Sequence, residues 1–182
     1  MHEVSLGATI KDYLSGEERD CTTYEDLRQA LARFLVEERG FEAKRLRSHF
    51  PVAYEVDGQI LEREADIAML GQNGCVSLIL LFCPGQINTY VREVRAMARL
   101  CLPEPCPLAL VTDMNEADLL AVADGLVLAR GLRALPDQAT IEELAKAHPV
   151  ARLSPVARLR ESRILHTYTG FLKSCCGERC EI

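Results

Sequence analysis

Asp66 is the first residue in this chain whose setting invites a chemical reading. It lies inside the apolar run Ala65-Asp66-Ile67-Ala68-Met69-Leu70, where a charge costs free energy unless it is bonded or bound. The plain reading is a half-buried Asp hydrogen-bonded to backbone at a strand edge; the functional one is a ligand-binding carboxylate. Glu25 closes the capping box Thr22-x-x-Glu25, in which Thr caps the helix and Glu reaches back to the cap amide. That structural role suffices to explain it. Arg92, Arg95 and Arg99 fall at i, i+3 and i+7, on one helical face. Lys44, Arg45, Arg47 and His49 cluster before the first strand of the central sheet. Either group can contact phosphates, and either can be a solvated face balanced by acids such as Glu93. No aromatic residues interleave with the arginine stripe, so single-strand stacking is not signalled. Cys175, Cys176 and Cys180, with His166 upstream, offer soft metal ligands, but not at the spacing of a zinc finger or ribbon. Their plain reading is a tail of free thiols.

These residues need elements to position them. Leu27, Ala30, Leu31, Phe34 and Leu35 recur at helical spacing after Thr22, and Gly40 is a natural stop. Val52 to Val56 and Ile60 to Leu70 read as strands joined by Asp57-Gly58, a two-residue hairpin signal. Val76 to Phe82 is apolar on both faces, as a central strand is. A helix over Thr89 to Cys101 and a buried strand over Leu108 to Thr112 complete a βαβ crossover, so the two strands should be parallel. A strand pair follows around Asp124-Gly125, then a short helix over Thr140 to Ala147. Ser154-Pro155 opens a last helix, with Ser at N-cap and Pro at N1. Residues 1–21 read as a lead-in lying against the core.

With 182 residues, the chain is expected to form one domain over 1–150, with 151–182 a helix and Cys-rich tail packed on it or extending from it. Hydrophobic residues at 48% and charged residues at 26% exclude a disordered, collagenous or coiled-coil chain. The net charge of -6 argues against strong non-specific nucleic-acid binding by the whole surface. The start shows neither a basic n-region nor an apolar h-region, and no apolar run approaches a membrane span. A cytoplasmic setting with reduced thiols is therefore expected. Lysine is scarce: Lys11, Lys44, Lys146 and Lys173 are all there are.

The order helix, hairpin, strand, helix, strand resembles the restriction-endonuclease-like, PD-(D/E)xK fold, a mixed sheet flanked by helices. In particular the chain resembles the N-terminal nuclease-type domain of type I restriction enzyme R subunits, in a small stand-alone form. The matching residues are Ile10 to Glu18 in the lead-in, Glu25-Asp26-Leu27-Arg28-Gln29 and Arg33 to Glu38 in the first helix, and Ala65-Asp66-Ile67. Leu110 to Asp113, Asp118-Leu119-Leu120, Asp124-Gly125 and Gly131-Leu132 match its later half.

The resemblance implies Mg²⁺-dependent phosphodiester cleavage, with Asp66 and Glu25 at two of the metal-binding positions and a Glu-x-Lys on the next strand. There the chain departs from the pattern. Phe82 stands at the carboxylate position and Pro84 at the lysine position, and no Asp, Glu or Lys lies between Leu70 and Glu93. Phe offers a cation no oxygen and Pro offers neither charge nor N–H. Glu93 and Met97 stand where the family has Gln-x-x-x-Tyr. Glu62, Glu64, Arg63 and Lys44 are the candidates for migrated replacements. The expectation is an impaired nuclease acting as an interaction module for DNA or a protein partner, with no membrane and no small-molecule cofactor; a homo-oligomer is compatible with it. An active enzyme with a rearranged site, which would use Mg²⁺, is the alternative. A metal- or redox-responsive protein using the C-terminal cysteines is the third reading.

Overall fold

The computed structural model describes residues 4–83 and 85–176, with side chains as far as Gly170. The last cysteines' side chains, and with them the expected thiol cluster, lie outside the described residues. Strands β1 (Ser5–Lys11) and β2 (Glu18–Thr22) pair antiparallel as a separate hairpin. Helix α1 (Thr23–Arg33) follows and ends in a π-helical turn over Phe34–Glu38. The central sheet has six strands in the order β3 (Leu46–Val56), β4 (Gln59–Leu70), β5 (Val76–Phe82), β6 (Leu108–Thr112), β7 (Ala117–Ala121) and β8 (Val127–Arg130). Only β5 and β6 run parallel, joined by α2 (Val91–Leu100); every other neighbouring pair is antiparallel. Helices α3 (Gln138–Ala147) and α4 (Pro155–Cys176) complete the fold.

Two apolar layers hold the sheet. On one face Val94, Met97 and Ala98 of α2 and Leu165 of α4 pack on Ile79, Leu81, Ala109 and Val111. On the other, Leu31 and Leu35 of the first helical segment and Ile141 of α3 pack on Leu78, Leu80, Leu108 and Leu110. Because β5 and β6 are covered on both sides, they read as unbroken apolar runs.

The alternation of β4 slips at Asp66. Ala65 and Ala68 join the α2 layer, whereas Ile67 and Met69 join the α1 layer; strict alternation would put 65 and 67 together. The register pairs Ser48 with Ile67 and Phe50 with Ala65, which sets His49 across from Asp66. His49 has φ +50, a left-handed conformation uncommon outside Gly. The irregular step thus lies where the two strands bring their polar residues together.

Three expectations need correction. The lead-in is a hairpin whose first strand is almost wholly exposed; a turn at Asp12–Gly16, closed by a bond from Gly16 N to Asp12 O at 2.8 Å, was not apparent in its short segments. Strand β3 begins at Leu46, so Arg47 and His49 lie within it and not before it. The helix after β5 begins at Val91, preceded by a 3₁₀ turn over Ile87–Thr89.

Candidate functional site

Helix α1 starts where the capping pattern places it: Thr22 Oγ1 accepts from the Glu25 N–H at 2.9 Å. The Glu25 side chain is drawn into the protein. Its Oε1 accepts from Gln29 Nε2 at 2.5 Å, and its Oε2 takes Arg28 Nη1 and, at 3.1 Å, His49 Nε2. Glu25, Arg28 and Gln29 are spaced i, i+3, i+4, which gives them one face of the helix. That face meets β3 and β4 at their irregular step.

Arg28 then crosses to the sheet. Its Nε and Nη2 lie 2.9 and 2.8 Å from Asp66 Oδ1, while Asp66 Oδ2 accepts from the Phe82 N–H at 2.7 Å. Asp12, from the β1–β2 turn, closes the cluster from the other side. It accepts from the backbone of Leu14 and Ser15, from Ser48 Oγ, and from Gln29 Nε2 at 3.0 Å. His49 bridges Glu25 and Glu64, with Nδ1 at 3.0 Å from Glu64 Oε2. Asp12, Glu25 and Asp66 are all buried.

The electrostatics follow from those contacts. Burial alone would raise the Glu25 carboxyl, but the His49 bond, the Arg28 charge and the Gln29 bond together hold it below the ordinary carboxylate value. Asp12 is likewise lowered: burial opposes, and the Ser15, Gln29 and Ser48 donors outweigh it. His49 is raised, first by its bond to Glu25, against burial and the Arg28 charge, with Glu64 adding to the rise.

The end of β5 is apolar. The Phe82 ring packs edge-on against Tyr24, with centroids 5.5 Å apart. Cys83 is fully buried and hydrogen-bonded to Thr112 O through its N–H at 2.9 Å. Burial and the charges of Asp113, Asp66 and Glu93 push its thiol up to about 12, so it is no nucleophile at neutral pH. Glu93 is fully buried on α2, with Arg63 Nε at 2.9 Å from its Oε1. Its Oε2 finds no hydrogen-bond partner among the described residues. Burial pushes its carboxyl up; Arg63 pulls it back, and Asp66 adds to the rise.

The cluster brings together Asp66 and Glu25, with Glu64 at its rim. Asp12 and Gln29 join it without having been singled out as site residues, and His49, read only as part of a basic group, joins it too; the i, i+3, i+4 spacing of Glu25, Arg28 and Gln29 was the available signal for the helix side. Arg63 turns to Glu93, Glu62 is exposed, and Lys44 pairs with Glu42 at 2.8 Å. The basic residues form no single surface. Arg92 Nη2 and Arg99 Nη1 bind the buried Glu161 of α4 at 2.6 and 2.9 Å. Arg95 and Arg99 also donate to the carbonyls of Val122 and Ala123. Arg45 pairs with Glu142 of α3, and Arg47 donates to the carbonyls of Lys44 and Leu46.

A hard divalent cation, implied by the earlier resemblance, needs carboxylate oxygens turned to it. The residues present do not fit that requirement. Both oxygens of Asp66 and both of Glu25 are already engaged by protein donors, and Phe82 brings no oxygen.

A mixed six-stranded sheet with helices on both faces, carrying a carboxylate cluster where α1 meets β3 and β4, defines an α/β domain. Residues 23–136, more than half of the chain, match the family described as type I restriction enzyme R protein N terminus, and the chain belongs to that family. A solved structure, that of the type IIG restriction endonuclease BpuSI, is similar at 14% identity with a TM-score of 0.38; the match covers 80% of this chain and 17% of that one. No curated protein matches the chain. The described residues include no helix long and apolar enough to cross a membrane.

Proposed function

We propose that this chain is a nuclease-type domain that does not cleave phosphodiesters and serves as an interaction module for nucleic acid or protein. The observation that carries the reading is the end of β5. Phe82 presents a ring packed on Tyr24, and its N–H holds Asp66. Cys83 is buried and protonated beyond it. Metal-assisted hydrolysis of a phosphodiester needs a held cation and a group that handles the water's proton, and the second alone contributes roughly 10²–10⁴-fold. The segment that supplies both in the PD-(D/E)xK pattern supplies neither here.

The test is a nuclease assay on supercoiled plasmid and single-stranded DNA with Mg²⁺ or Mn²⁺, comparing wild type with Asp66→Ala. Rates indistinguishable from each other and from buffer are expected. Cleavage by the wild type that Asp66→Ala abolishes would sink the reading. A second reading, an endonuclease with a rearranged site, draws on one observation: ligand atoms of Asp12, Glu25 and His49 all lie within 4.8 Å of one another. Asp12→Asn in the same assay reads it directly, since that enzyme would lose activity with the substitution.

A further inference from the structure

We infer that the outer face of α4 is a docking surface for a protein partner, and that the segment it takes is an amphipathic helix with acidic flanks. The inference rests on the proposed reading of the chain as an interaction module; it names the surface and the partner's chemistry.

The helix has two distinct sides. Glu161, Ser162 and Leu165 are buried: Glu161 takes Arg92 and Arg99 of α2, and Leu165 joins the α2 layer of the core. On the opposite side, Val156, Leu159, Arg160, Arg163 and Thr167 line up at spacings of three and four residues, over roughly 16 Å of helix. All five are exposed, Val156 at 72% and Leu159 at 43%. A stripe of that period is the seam along which one helix meets another. Apolar residues flanked by arginine are also the composition that an interface core favours.

Charge complementarity decides the occupant. Between Ala151 and Gly170 there are four arginines and one carboxylate, Glu161. That carboxylate lies under the helix, neutralised by α2. Arg160 is exposed, with no ion pair among the described residues. Arg163 is 64% exposed, and its one carboxylate neighbour, Asp57, is 3.9 Å away. The outer face is therefore locally positive on a chain of net charge -6. A second copy docked through the same face would set these arginines against themselves. A phosphodiester backbone would satisfy the arginines and leave Val156 and Leu159 uncovered. A lipid surface needs a larger apolar face than one Val and one Leu, and the stripe carries no aromatic residue. A helix with an apolar seam and carboxylates beside it covers both parts.

The test uses the full chain and a fluorescein-labelled, end-capped peptide of about 18 residues, with Leu at three- and four-residue spacing and Glu at the flanking positions. Two further peptides carry Gln or Lys in place of Glu. Fluorescence anisotropy at low salt is expected to show the Glu peptide binding about fivefold or more tighter than the Gln peptide, with the Lys peptide weakest. Arg160→Glu/Arg163→Glu and Val156→Ser/Leu159→Ser are each expected to weaken the Glu peptide about tenfold or more. Both should unfold near the wild-type temperature, because all four side chains are exposed. Amide NMR shifts of the wild-type chain on adding the Glu peptide are expected along 156–167, a reading that needs no variant to fold. No binding of the Glu peptide, equal affinity for the three peptides, or shifts confined to other elements overturns the inference. So does a DNA duplex or a phosphatidylserine vesicle that binds more tightly than the Glu peptide and is released by Arg160→Glu/Arg163→Glu. The nuclease assay separates the two ideas. Asp66-dependent cleavage by wild type overturns the parent reading and leaves the peptide result standing, whereas a chain that neither cleaves nor binds the Glu peptide overturns this inference alone.

Discussion

His49 shows most directly how the cluster ties protonation to folding. It bridges Glu25 and Glu64, and its pKa is raised, first by the Glu25 bond. A group raised in the folded state contributes in full below its unfolded value, 6.5 for His, and loses that contribution as pH rises through the folded value. Glu25 works the other way: held below 4.5, it contributes in full above that value and loses the contribution as pH falls through its folded value. The pair is therefore at full strength between pH 4.5 and 6.5. His49→Asn is the cleanest probe, because Asn tolerates the left-handed backbone at φ +50. Urea unfolding at a series of pH values should show the largest difference between wild type and His49→Asn in that window, shrinking on the alkaline side. A difference that grows with pH would contradict the bridge.

At the scale of elements, Glu161 is the point on which α4 turns. Its two oxygens hold Arg92 and Arg99 of α2, and next to it Ser162 is also buried. Deleting one partner of a buried pair leaves the other charges uncompensated; the arginine side chains here are 38% and 26% exposed, which reduces the penalty. Glu161→Ala is expected to cost about 2 kcal/mol, with amide exchange quickening along α4 before the sheet; uniform exchange with no loss of stability would show the contact to be incidental. Much of this architecture was legible in the chain. Unbroken apolar runs in β5 and β6, the Asp57-Gly58 turn between β3 and β4 and the βαβ spacing specify β3 to β6, because they express local chemistry. The β1–β2 hairpin has a weaker signature: Leu6, Ala8 and Ile10 alternate with Ser5, Gly7, Thr9 and Lys11, but the strand is almost wholly exposed and buries no face that would fix it. The use of the arginines was not legible. Their helical spacing is the same whether they face phosphate or Glu161, and a carboxylate 62 residues further along the chain leaves no local signal. At the site, Asp66 and Glu25 could be read from their settings, but Asp12 and His49 arrive by tertiary contact alone.

The whole molecule sets how the proposed interaction module can meet nucleic acid. The net charge is -6, so long-range attraction to a polyanion is absent and any duplex contact must be local. The arginines of α2 are held by Glu161 and by the carbonyls of Val122 and Ala123, and Arg45 by Glu142 and Leu70 O. Turning them to phosphates would break those bonds. Lys44, 81% exposed and beside Glu42, and Arg47, exposed although its Nη1 donates to the Lys44 and Leu46 carbonyls, are the more accessible cations among the residues proposed for phosphate contact. Each phosphate neutralised contributes about -0.9 to the slope of log K against log salt, so two contacts give roughly -2. Fluorescence anisotropy of a labelled duplex titrated from low to physiological salt should show weak binding with a slope no steeper than about -3. Lys44→Glu and Arg47→Glu should each flatten it. A slope near -6 would mean that the α2 arginines leave Glu161 to engage the backbone, and α4 would then have to move with them. A shallow slope leaves protein surfaces as the stronger class of partner, because their recognition does not require the arginines to abandon contacts that hold the fold.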